Sequence, residues 1–428
     1  MRLSNWSPRK YQVVVCGAGS AGCAAAFAAA SAGASTLLVE RLGFCGGTPV
    51  AAGIHTLDAV RSCQNYDENV VGGFAASLIE GTLALGGGAT LDNPPEALTL
   101  HPEYMKVAYD VLLRAAGVDV LFHALVVDAG VSGNRVTGLE LALLDGRATV
   151  ECDAVIDCTG DAVIAFGAGA AWEIDSALQA LTYHFRLGNV QPGRDWEWFE
   201  TACREAVEKH APEGFIYGGP WIIRLNDSEI SLNSTRVFGN PVDPDERSKA
   251  EQKARADMLR LVDILRLEVP ELRNSYLVTG ATDLHVRESR KLVGAYKLTE
   301  DDIAACRIFP DAIAYGAWPF DIHPTDGFVG VHPHKESPPR PYGIPYRCLV
   351  PETMDGLLVA GKAISTTHTA HGSTRVPGTS LATGQAAGVA AALATRKGVR
   401  LRDVNIAELR RELARQHAIL PPVAADAA

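Results

Sequence analysis

Residues 13–22, Val-Val-Val-Cys-Gly-Ala-Gly-Ser-Ala-Gly, decide the fold of this chain. They join a short β-branched run to a G-x-G-x-x-G pattern. The alanine-rich stretch that follows has high helix propensity and ends at Gly33, after which residues 35–39 return to a strand that Glu40 closes. A helical crossover of this length makes the two strands parallel neighbours. The sequence therefore predicts a βαβ unit over residues 13–40.

The same stretch predicts a dinucleotide site. Gly17 permits a tight turn, Gly19 lets the backbone approach a pyrophosphate, and Gly22 lets the helix pack closely on the strand. The N-terminus of the helix supplies free N–H groups and the positive end of a dipole. Glu40 would accept hydrogen bonds from ribose hydroxyls and would disfavour a 2′-phosphate. FAD and NAD both fit these features, and NADP does not.

A second glycine-rich stretch, residues 41–48 (Arg-Leu-Gly-Phe-Cys-Gly-Gly-Thr), favours FAD over NAD. A large, extended cofactor needs such a stretch beside its ribityl and flavin parts, whereas a simple NAD dehydrogenase does not. Residues 154–161 and 356–361 repeat the strand-to-glycine junction far along the chain. Between residues 170 and 330 no second G-x-G-x-x-G for a nicotinamide cofactor occurs. We therefore expect one discontinuous FAD-binding domain.

The middle of the chain has a different texture, with aromatic strand-like segments and charged helical stretches. We expect the first part of the FAD-binding domain at residues 1–170, an inserted substrate-binding domain at 171–330, and the return of the FAD-binding domain with a C-terminal helix at 331–428. The predicted fold class is α/β: a discontinuous Rossmann-like FAD-binding domain with an inserted, β-rich α+β substrate domain.

Composition excludes several classes of function. The formal net charge of the 428 residues is −11 and the sequence has no basic run, which argues against nucleic acid as a partner. Nine cysteines without a C-x-x-C pair argue for a reducing cytoplasm and against zinc or iron–sulfur ligation, so no metal is expected. We find neither a secretory signal nor an apolar stretch of the ~20 residues that span a bilayer.

Six segments carry a family resemblance. They are VVVCGAGSAGCAAA (13–26), ERLGFCGGT (40–48), AVIDCTGDA (154–162), HVRESRKLVGAYKLTEDD (285–302), IPYRCLVP (344–351) and LLVAGKAISTTHTAHGSTRVPGTSLATGQAAG (357–388). Together they resemble FAD-dependent oxidoreductases of the glutathione-reductase and fumarate-reductase type. More specifically, the chain is similar to a bacterial family related to the flavin domain of heterodisulfide reductase. Cys158 replaces the family's commoner alanine, and the iron–sulfur cysteine sets are absent.

The resemblance implies where FAD binds. The pyrophosphate is expected at the first glycine turn, residues 17–22, and the ribityl and flavin side at the second, residues 46–48. The adenine is expected beside a later strand near Val126, and the flavin ring near residues 377–385, at the start of the last long helix. The expected FAD-binding residues are Gly17, Ala18, Gly19, Ser20, Ala21, Gly22, Glu40, Arg41, Gly46, Gly47, Thr48, Val126, Thr159, Gly160, Gly361, Thr379, Ser380, Leu381 and Gly384.

The catalytic groups are sought in the polar loop that residues 365–375 are expected to form. A flavin dehydrogenase needs a base to take a proton and a cation to hold an acidic or oxyanionic substrate. We predict His371 or His368 as the base and Arg375 as the cation. The alternative is that His368 and Arg375 only hydrogen-bond the backbone and hold this loop.

Other polar and aromatic groups admit two interpretations. Arg287 could reach the substrate, but Glu288 and Asp301 are available as ion-pair partners and a structural role is favoured. Cys45 could form a thioether to the flavin. A final group of side chains could line the substrate pocket or build ordinary core, and no role is assigned to any of them: Tyr315, Trp318, Asp321, His323, Tyr342 and Tyr346.

We therefore expect a cytoplasmic FAD-dependent oxidoreductase, a dehydrogenase or oxidase that takes a hydride from a small organic substrate to flavin N5. Oxygen, a quinone or a redox protein would reoxidise the flavin, and we expect a homodimer, the commonest oligomer of soluble proteins. One alternative is a flavin-carrying subunit or reductase that depends on a protein partner. Another is an NAD dehydrogenase without flavin, against which residues 41–48 argue.

Overall fold

A computed structural model describes residues 10–88, 97–191, 193, 195–323 and 338–423. The strands are β1 Tyr11–Cys16, β2 Thr36–Val39, β3 Thr56–Asp58, β4 Ala97–Thr99, β5 Asp119–Leu121, β6 Leu125–Ser132, β7 Arg135–Leu143, β8 Gly146–Asp157, β9 Trp172–Glu173, β10 Phe185–Gly188, β11 Tyr217–Asn226, β12 Glu229–Thr235, β13 Tyr276–Gly280, β14 Lys291–Leu292, β15 Ala312–Gly316, β16 Tyr342–Pro345 and β17 Leu357–Val359.

The helices connect and cover these strands. They are α1 Ser20–Ser31, α2 Thr48–Ala51, α3 Phe74–Ala84, α4 Pro102–Ala115, α5 Val163–Gly167, α6 Trp196–His210, α7 Pro244–Glu268, α8 Glu300–Ala304, α9 His368–Thr374, α10 Pro377–Lys397 and α11 Ile406–Arg415. Within the residues that the structure describes, none of these helices has both the length and the hydropathy that a membrane span needs.

The main sheet has seven strands in the order β5-β2-β1-β8-β7-β6, and β17 pairs with β8 beside that path. Strand β1 pairs in parallel with β2 and with β8, so the predicted βαβ unit is confirmed. Strand β17 is also parallel to β8, with Val359 opposite Asp157. The three strand-to-glycine junctions therefore meet at one edge of the sheet, as expected of a discontinuous Rossmann-like fold.

A separate antiparallel sheet, in the order β11-β12-β10-β13, lies within the predicted insert. Helices α6 and α7 pack on it, and the two layers enclose a second apolar core around Phe185, Phe199 and Leu261. The insert is thus β-rich with helices, as predicted. The exact domain bounds stay a prediction, and the boundary between residues 330 and 331 lies outside the described residues.

Helix α10 packs along α1 and brings its first turn to the same edge of the sheet. The packing is close: a Cβ at Gly384 or Gly388 would lie 2.1 Å from the backbone oxygen of Ala21 or Ala25. The expected loop over residues 365–375 is wrong in its secondary structure, because residues 368–374 form helix α9. Thr367 caps this helix through a hydrogen bond from Ala370 N, so the polar composition did not prevent helix formation.

Candidate active site

One cavity of about 530 Å³ opens at the carboxyl ends of β1, β8 and β17. It runs from the glycine turn after β1 to polar side chains contributed by the inserted segment. Most of the expected FAD-binding residues line it: Gly17, Gly19, Ser20, Ala21, Glu40, Arg41, Gly47, Thr48, Val126, Thr159, Gly160, Gly361 and Ser380.

The floor of one end consists of two glycine turns that touch. A Cβ on Gly47 would lie 2.6 Å from Gly19 Cα, and a Cβ on Gly17 would lie 2.6 Å from the backbone oxygen of Cys158. Only glycine therefore permits this approach of the three loops. The N-terminus of α1 opens on the same floor, and no side chain caps it, so its first N–H groups are available to a pyrophosphate.

Glu40 stands at the end of β2, on the wall of this cavity. Its carboxylate accepts hydrogen bonds from Ala18 N at 2.6 Å and from Leu42 N at 2.8 Å, which fixes the carboxylate beside the glycine turn. A carboxylate can accept further hydrogen bonds, so these contacts leave it able to receive ribose hydroxyls.

Six expected FAD-binding residues lie behind the cavity and do not line it: Ala18, Gly22, Gly46, Thr379, Leu381 and Gly384. Their contacts explain their residue types. Gly46 N donates to Ala18 O at 2.8 Å, which ties the two glycine turns together. Gly384 permits the contact of α10 with α1 and makes no wall, so its residue type is set by helix packing.

The turn after β8 is held by a buried acid that the sequence reasoning did not single out. Asp157 accepts hydrogen bonds from Thr159 N and Oγ1, at 3.0 and 2.7 Å, and from the first backbone N–H groups of α5. Burial raises the pKa of Asp157, and these hydrogen bonds oppose that shift. They hold Thr159 and Gly160 on the cavity wall.

These features fit FAD. Backbone N–H groups and glycines face one end of the cavity, and Val126 continues the wall where adenine is expected. The uncapped N-terminus of α10 lies at the same cavity through Pro377 and Ser380, where it can stabilise negative charge on the pyrimidine edge of a flavin.

The far end of the cavity is lined by polar side chains from the insert and from the end of α9. Arg375, the predicted cation, is there, and its Nη2 donates to Asp321 Oδ2 at 3.1 Å. His323 Nε2 lies 3.5 Å from Asp321 Oδ1 on the same wall. Arg287 and His285 complete this polar end. The resembling segment at 285–302 was the only sequence signal for the last two.

The two histidines of this wall are held uncharged. Burial lowers the pKa of His323 and of His285 well below the usual value, and the charge of Arg287 acts in the same direction. Asp321 opposes the shift at His323. A neutral imidazole beside a carboxylate can accept a proton from a substrate, because the carboxylate stabilises the imidazolium that forms.

The two predicted bases lie elsewhere. His371 is buried inside α9 and does not line the cavity, and burial lowers its pKa well below the usual range. His368 also lies off the cavity wall, and its Nδ1 is 2.9 Å from Glu288 Oε1, which raises its pKa. The prediction that either one is the base is untested and has no support from this geometry.

His368 belongs to a partly buried charged group. Ligand atoms of Asp175, Glu288 and His368 all lie within 4.8 Å of one another, a spacing that could hold a metal ion. The Lys291 ammonium already contacts Asp175 and, at 3.3 Å, Glu288, so this group has its own cation. Glu288 therefore pairs with Lys291 and His368, and not with Arg287 as the sequence suggested.

A chain of ion pairs forms another part of the cavity wall. Asp283 binds Arg41 and, at 2.9 Å, Arg247 of helix α7. Arg247 also lies 3.7 Å from Asp161, which Lys362 Nζ contacts at 3.1 Å. These pairs tie the insert to loops of the main sheet beside the expected cofactor.

The remaining candidates differ in position. Cys45 is fully buried off the cavity wall, so a thioether to the flavin has no support from the geometry. Tyr342 donates or accepts a 2.7 Å hydrogen bond with Ser373, and Tyr346 donates to Leu401 O. Neither of these, nor Tyr315 or Trp318, lines the cavity.

Comparison with known proteins identifies the family. A family model described as FAD dependent oxidoreductase matches residues 12–413. No curated protein matches the sequence. A geranylgeranyl bacteriochlorophyll reductase-like protein from Thermoplasma acidophilum has a similar structure, with a TM-score of 0.51, 12% identity, and coverage of 96% of this chain and 85% of that one.

Two further solved structures are similar at the same level. A myxobacterial chondrochloren halogenase gives a TM-score of 0.50 and 14% identity, covering 96% of this chain and 79% of that one. A flavoprotein/dehydrogenase from Cytophaga hutchinsonii gives a TM-score of 0.50 and 14% identity, covering 95% and 83%. At these identities the similarity establishes the fold alone.

Proposed function

Because the chain belongs to the family of FAD-dependent oxidoreductases, we propose that it is a dehydrogenase or oxidase that takes a hydride from a small organic substrate. The observation that carries the proposal is the cavity, which joins a dinucleotide-binding floor to a polar end of arginines and histidines. Bound FAD supplies the two-electron acceptor, at flavin N5. The protein has to place the reacting carbon there and accept the proton that leaves with it.

His323 is the base that this geometry favours. It lines the cavity, it is uncharged, and Asp321 Oδ1 lies 3.5 Å from its Nε2. Removal of a well-placed general base typically costs about 10²–10⁴-fold in rate. His285 also lines the wall, but among the described residues no carboxylate pairs with it and its Nδ1 has no hydrogen-bond partner.

We further propose that the segment 171–330 is the substrate domain of this enzyme. Support comes from its antiparallel sheet, which has its own apolar core, and from the cavity residues it contributes. The proposed relation to the glutathione-reductase and fumarate-reductase type, and to the flavin domain of heterodisulfide reductase, rests on the resembling segments alone. Oxygen, a quinone or a redox protein would accept the electrons.

The test is anaerobic reduction of the purified yellow protein by a panel of hydroxy acids, amines, alcohols and cyclic ketones. We expect one class to bleach the flavin absorbance, and His323→Gln to slow the bleaching by about 10²-fold or more. His371→Gln is the matched control and should bleach within a few-fold of the parent, with FAD content measured in both variants.

The opposite ranking, with His371→Gln slow and His323→Gln normal, would restore the base predicted from sequence. Flavin that no small molecule bleaches, but that a redox protein reduces, would overturn the proposal in favour of a partner-dependent protein.

A further inference from the structure

Three buried arginines meet at the polar end of the cavity. Arg287 is 1% exposed and Arg236 5%, and the side chain of Arg375 is 7% exposed. They come from three places: the segment before β14, the end of β12, and the end of α9. Guanidinium groups are almost never buried without a partner, because their charge loses its hydration.

Two of these guanidinium groups share one acceptor. Arg236 Nη1 and Arg287 Nη1 each donate to Thr182 Oγ1 at 2.7 Å. Each also donates to backbone oxygens, of Thr235 and Ala180 respectively. The shared hydroxyl holds two like charges close together in a buried place, which is costly unless an anion offsets them.

The protein supplies too little negative charge to offset them. Asp321 pairs with Arg375, but neither Arg236 nor Arg287 has an ion-pair partner among the residues that the structure describes. Within the same described ranges, polar atoms on all three side chains lack a hydrogen-bond partner: Arg236 Nη2, Arg287 Nε and Arg375 Nε. Burial and the neighbouring guanidinium charges lower the pKa of Arg287, and burial lowers the pKa of Arg236 to about 9, although the charge of Asp321 opposes both shifts.

The guanidinium charge of Arg287, which has no ion-pair partner among the described residues, lies at the cavity wall. Arg287, Arg375 and Asp321 are on its wall, and Arg236 lies behind them with its guanidinium 5.0 Å from the ring centre of Trp221. A planar guanidinium binds a carboxylate through two parallel hydrogen bonds, which are among the strongest polar contacts in proteins. Arg375 makes a single hydrogen bond of this kind, from Nη2 to Oδ2 of Asp321 at 3.1 Å, and a second from Nη2 to the backbone oxygen of Asp321.

We propose that the substrate is an organic acid whose carboxylate binds between Arg287 and Arg375, with Arg236 adding positive charge from behind. The inference rests on the proposed function, since it names the substrate class of the same site. A carboxylate fits better than a phosphate ester, because the second negative charge of a phosphate would lie beside Asp321. The carboxylate adds one negative charge beside Arg287 and Arg236, neither of which has an ion-pair partner among the described residues.

The test measures binding to the FAD-loaded protein without turnover. Propionate, succinate and glycerol phosphate, and the neutral amides of the two acids, are titrated at constant ionic strength. Binding is followed by the change in flavin absorbance and by the shift in melting temperature. We expect the two acids to bind. The amides should bind at least about tenfold more weakly because they make no charge-assisted hydrogen bond, and glycerol phosphate should do so because its second charge would lie beside Asp321.

Variants locate the site. Arg287→Gln should weaken binding of the acids at least about tenfold, and Arg287→Lys should weaken it less because the charge remains. Arg290→Gln is the matched control, because Arg290 stacks 4.3 Å from the Phe166 ring centre and is not on the cavity wall. If Arg287→Gln does not retain FAD, Arg375→Gln takes its place.

The results separate this inference from the proposed function. Equal binding of acids and amides, or preferred binding of glycerol phosphate, would overturn the carboxylate assignment. Bleaching by a neutral alcohol or amine, with no acid bound, would leave the enzyme a dehydrogenase and sink the inference. Acids that bind through Arg287, while no compound of the substrate panel bleaches the flavin, would support the inference and count against the dehydrogenase.

Discussion

The two ends of the cavity are formed by different chemical groups, backbone amides at one and charged side chains at the other. At the glycine end, backbone N–H groups and the uncapped start of α1 face the cavity, and side chains are excluded by the contact of Gly19 with Gly47. At the arginine end, defined by Arg236, Arg287 and Arg375, the side chains of Arg287 and Arg375 line the cavity and Arg236 lies behind them. Thr182 and Asp321 hold these side chains through hydrogen bonds.

The two ends are therefore suited to recognising different ligands. Backbone groups bind a pyrophosphate in the same way whatever side chains surround them, so the glycine end suits a cofactor shared by many enzymes. Side chains can be exchanged without rebuilding the loops, so the arginine end is where a particular substrate is chosen. Substitutions at the glycine end should therefore impair FAD binding, whereas substitutions at the arginine end should impair substrate binding.

The largest effect is expected at the glycine end, from Gly17→Ala. Gly17 has a φ of +92°, and a Cβ there would lie 2.6 Å from the backbone oxygen of Cys158. Backbone atoms cannot yield, so the turn has to shift and the pyrophosphate floor is lost. We expect loss of FAD from the purified protein, measured as flavin per chain, and a lower urea midpoint.

Gly33→Ala is the matched control, because Gly33 has the same φ of +92° with no atom within 4 Å of the added Cβ. It should cost only the backbone strain of about 1–2 kcal/mol and retain FAD. Equal FAD loss in the two variants would mean that backbone conformation, and not the contact with Cys158, makes Gly17 necessary.

The glycine end is also the part that can be predicted from sequence. Most of its determinants lie in one continuous segment, from Gly17 through Glu40 to Gly47, so the spacing of residue types carries the geometry. The arginine end cannot be predicted in this way, because Thr182, Arg236 and Arg287 are brought together by the pairing of segments far apart in the chain. Of the three arginines, sequence reasoning proposes only Arg375 as the substrate-binding cation, and it lies on the cavity wall.

The histidines illustrate the same limit. His368 and His371 stand out in the sequence because they lie in a polar stretch, but a polar stretch can also be a short capped helix whose side chains turn into the core. His323 is named from the sequence only as one of several side chains that could line the substrate pocket, with no role assigned, because it is a lone histidine in an aromatic-rich segment; it does line the cavity. Its carboxylate neighbour Asp321 becomes informative only when the fold aims both at the cavity.

A second prediction concerns pH, which should change the stability of the protein through its buried histidines. Burial lowers the pKa of His55 to about 3, and His184, His285 and His323 shift in the same direction. Below the usual histidine pKa of about 6.5 the unfolded chain binds protons that the folded chain does not. The free energy of unfolding therefore decreases as the pH falls from about 6.5 toward 3.

His55→Asn should remove part of this pH dependence of the free energy of unfolding, about 1.4 kcal/mol per pH unit below pH 6.5. The measurement is urea unfolding of both proteins at about pH 7 and about pH 5.5. His417→Asn is the matched control, since both histidines have a positive φ, of 66° and 60°, but His417 is exposed. An unchanged pH slope in His55→Asn would show that His55 is already protonated in the folded protein.

The smallest effect is expected where the two ends are joined, at the ion pairs of Asp283. Arg41 and Arg247 are 49% and 26% exposed in their side chains, and partly exposed pairs contribute about 0.2–1 kcal/mol. Asp283→Asn should therefore speed the release of FAD only a few-fold, as followed by flavin fluorescence. The difference from the parent should shrink at high salt, because ions screen exposed charges.

Asp245→Asn breaks the exposed Lys249 pair on the same helix, α7, away from the cavity wall, and should leave FAD release unchanged. If Asp283→Asn releases FAD at the same rate as this control, the ion pairs do not stabilise cofactor binding. Each end of the cavity then binds its ligand independently. If FAD release becomes fast enough to empty the protein, the pairs hold the insert against the main sheet. The two ends would then be one coupled site, in which a substrate at the arginines also retains the cofactor.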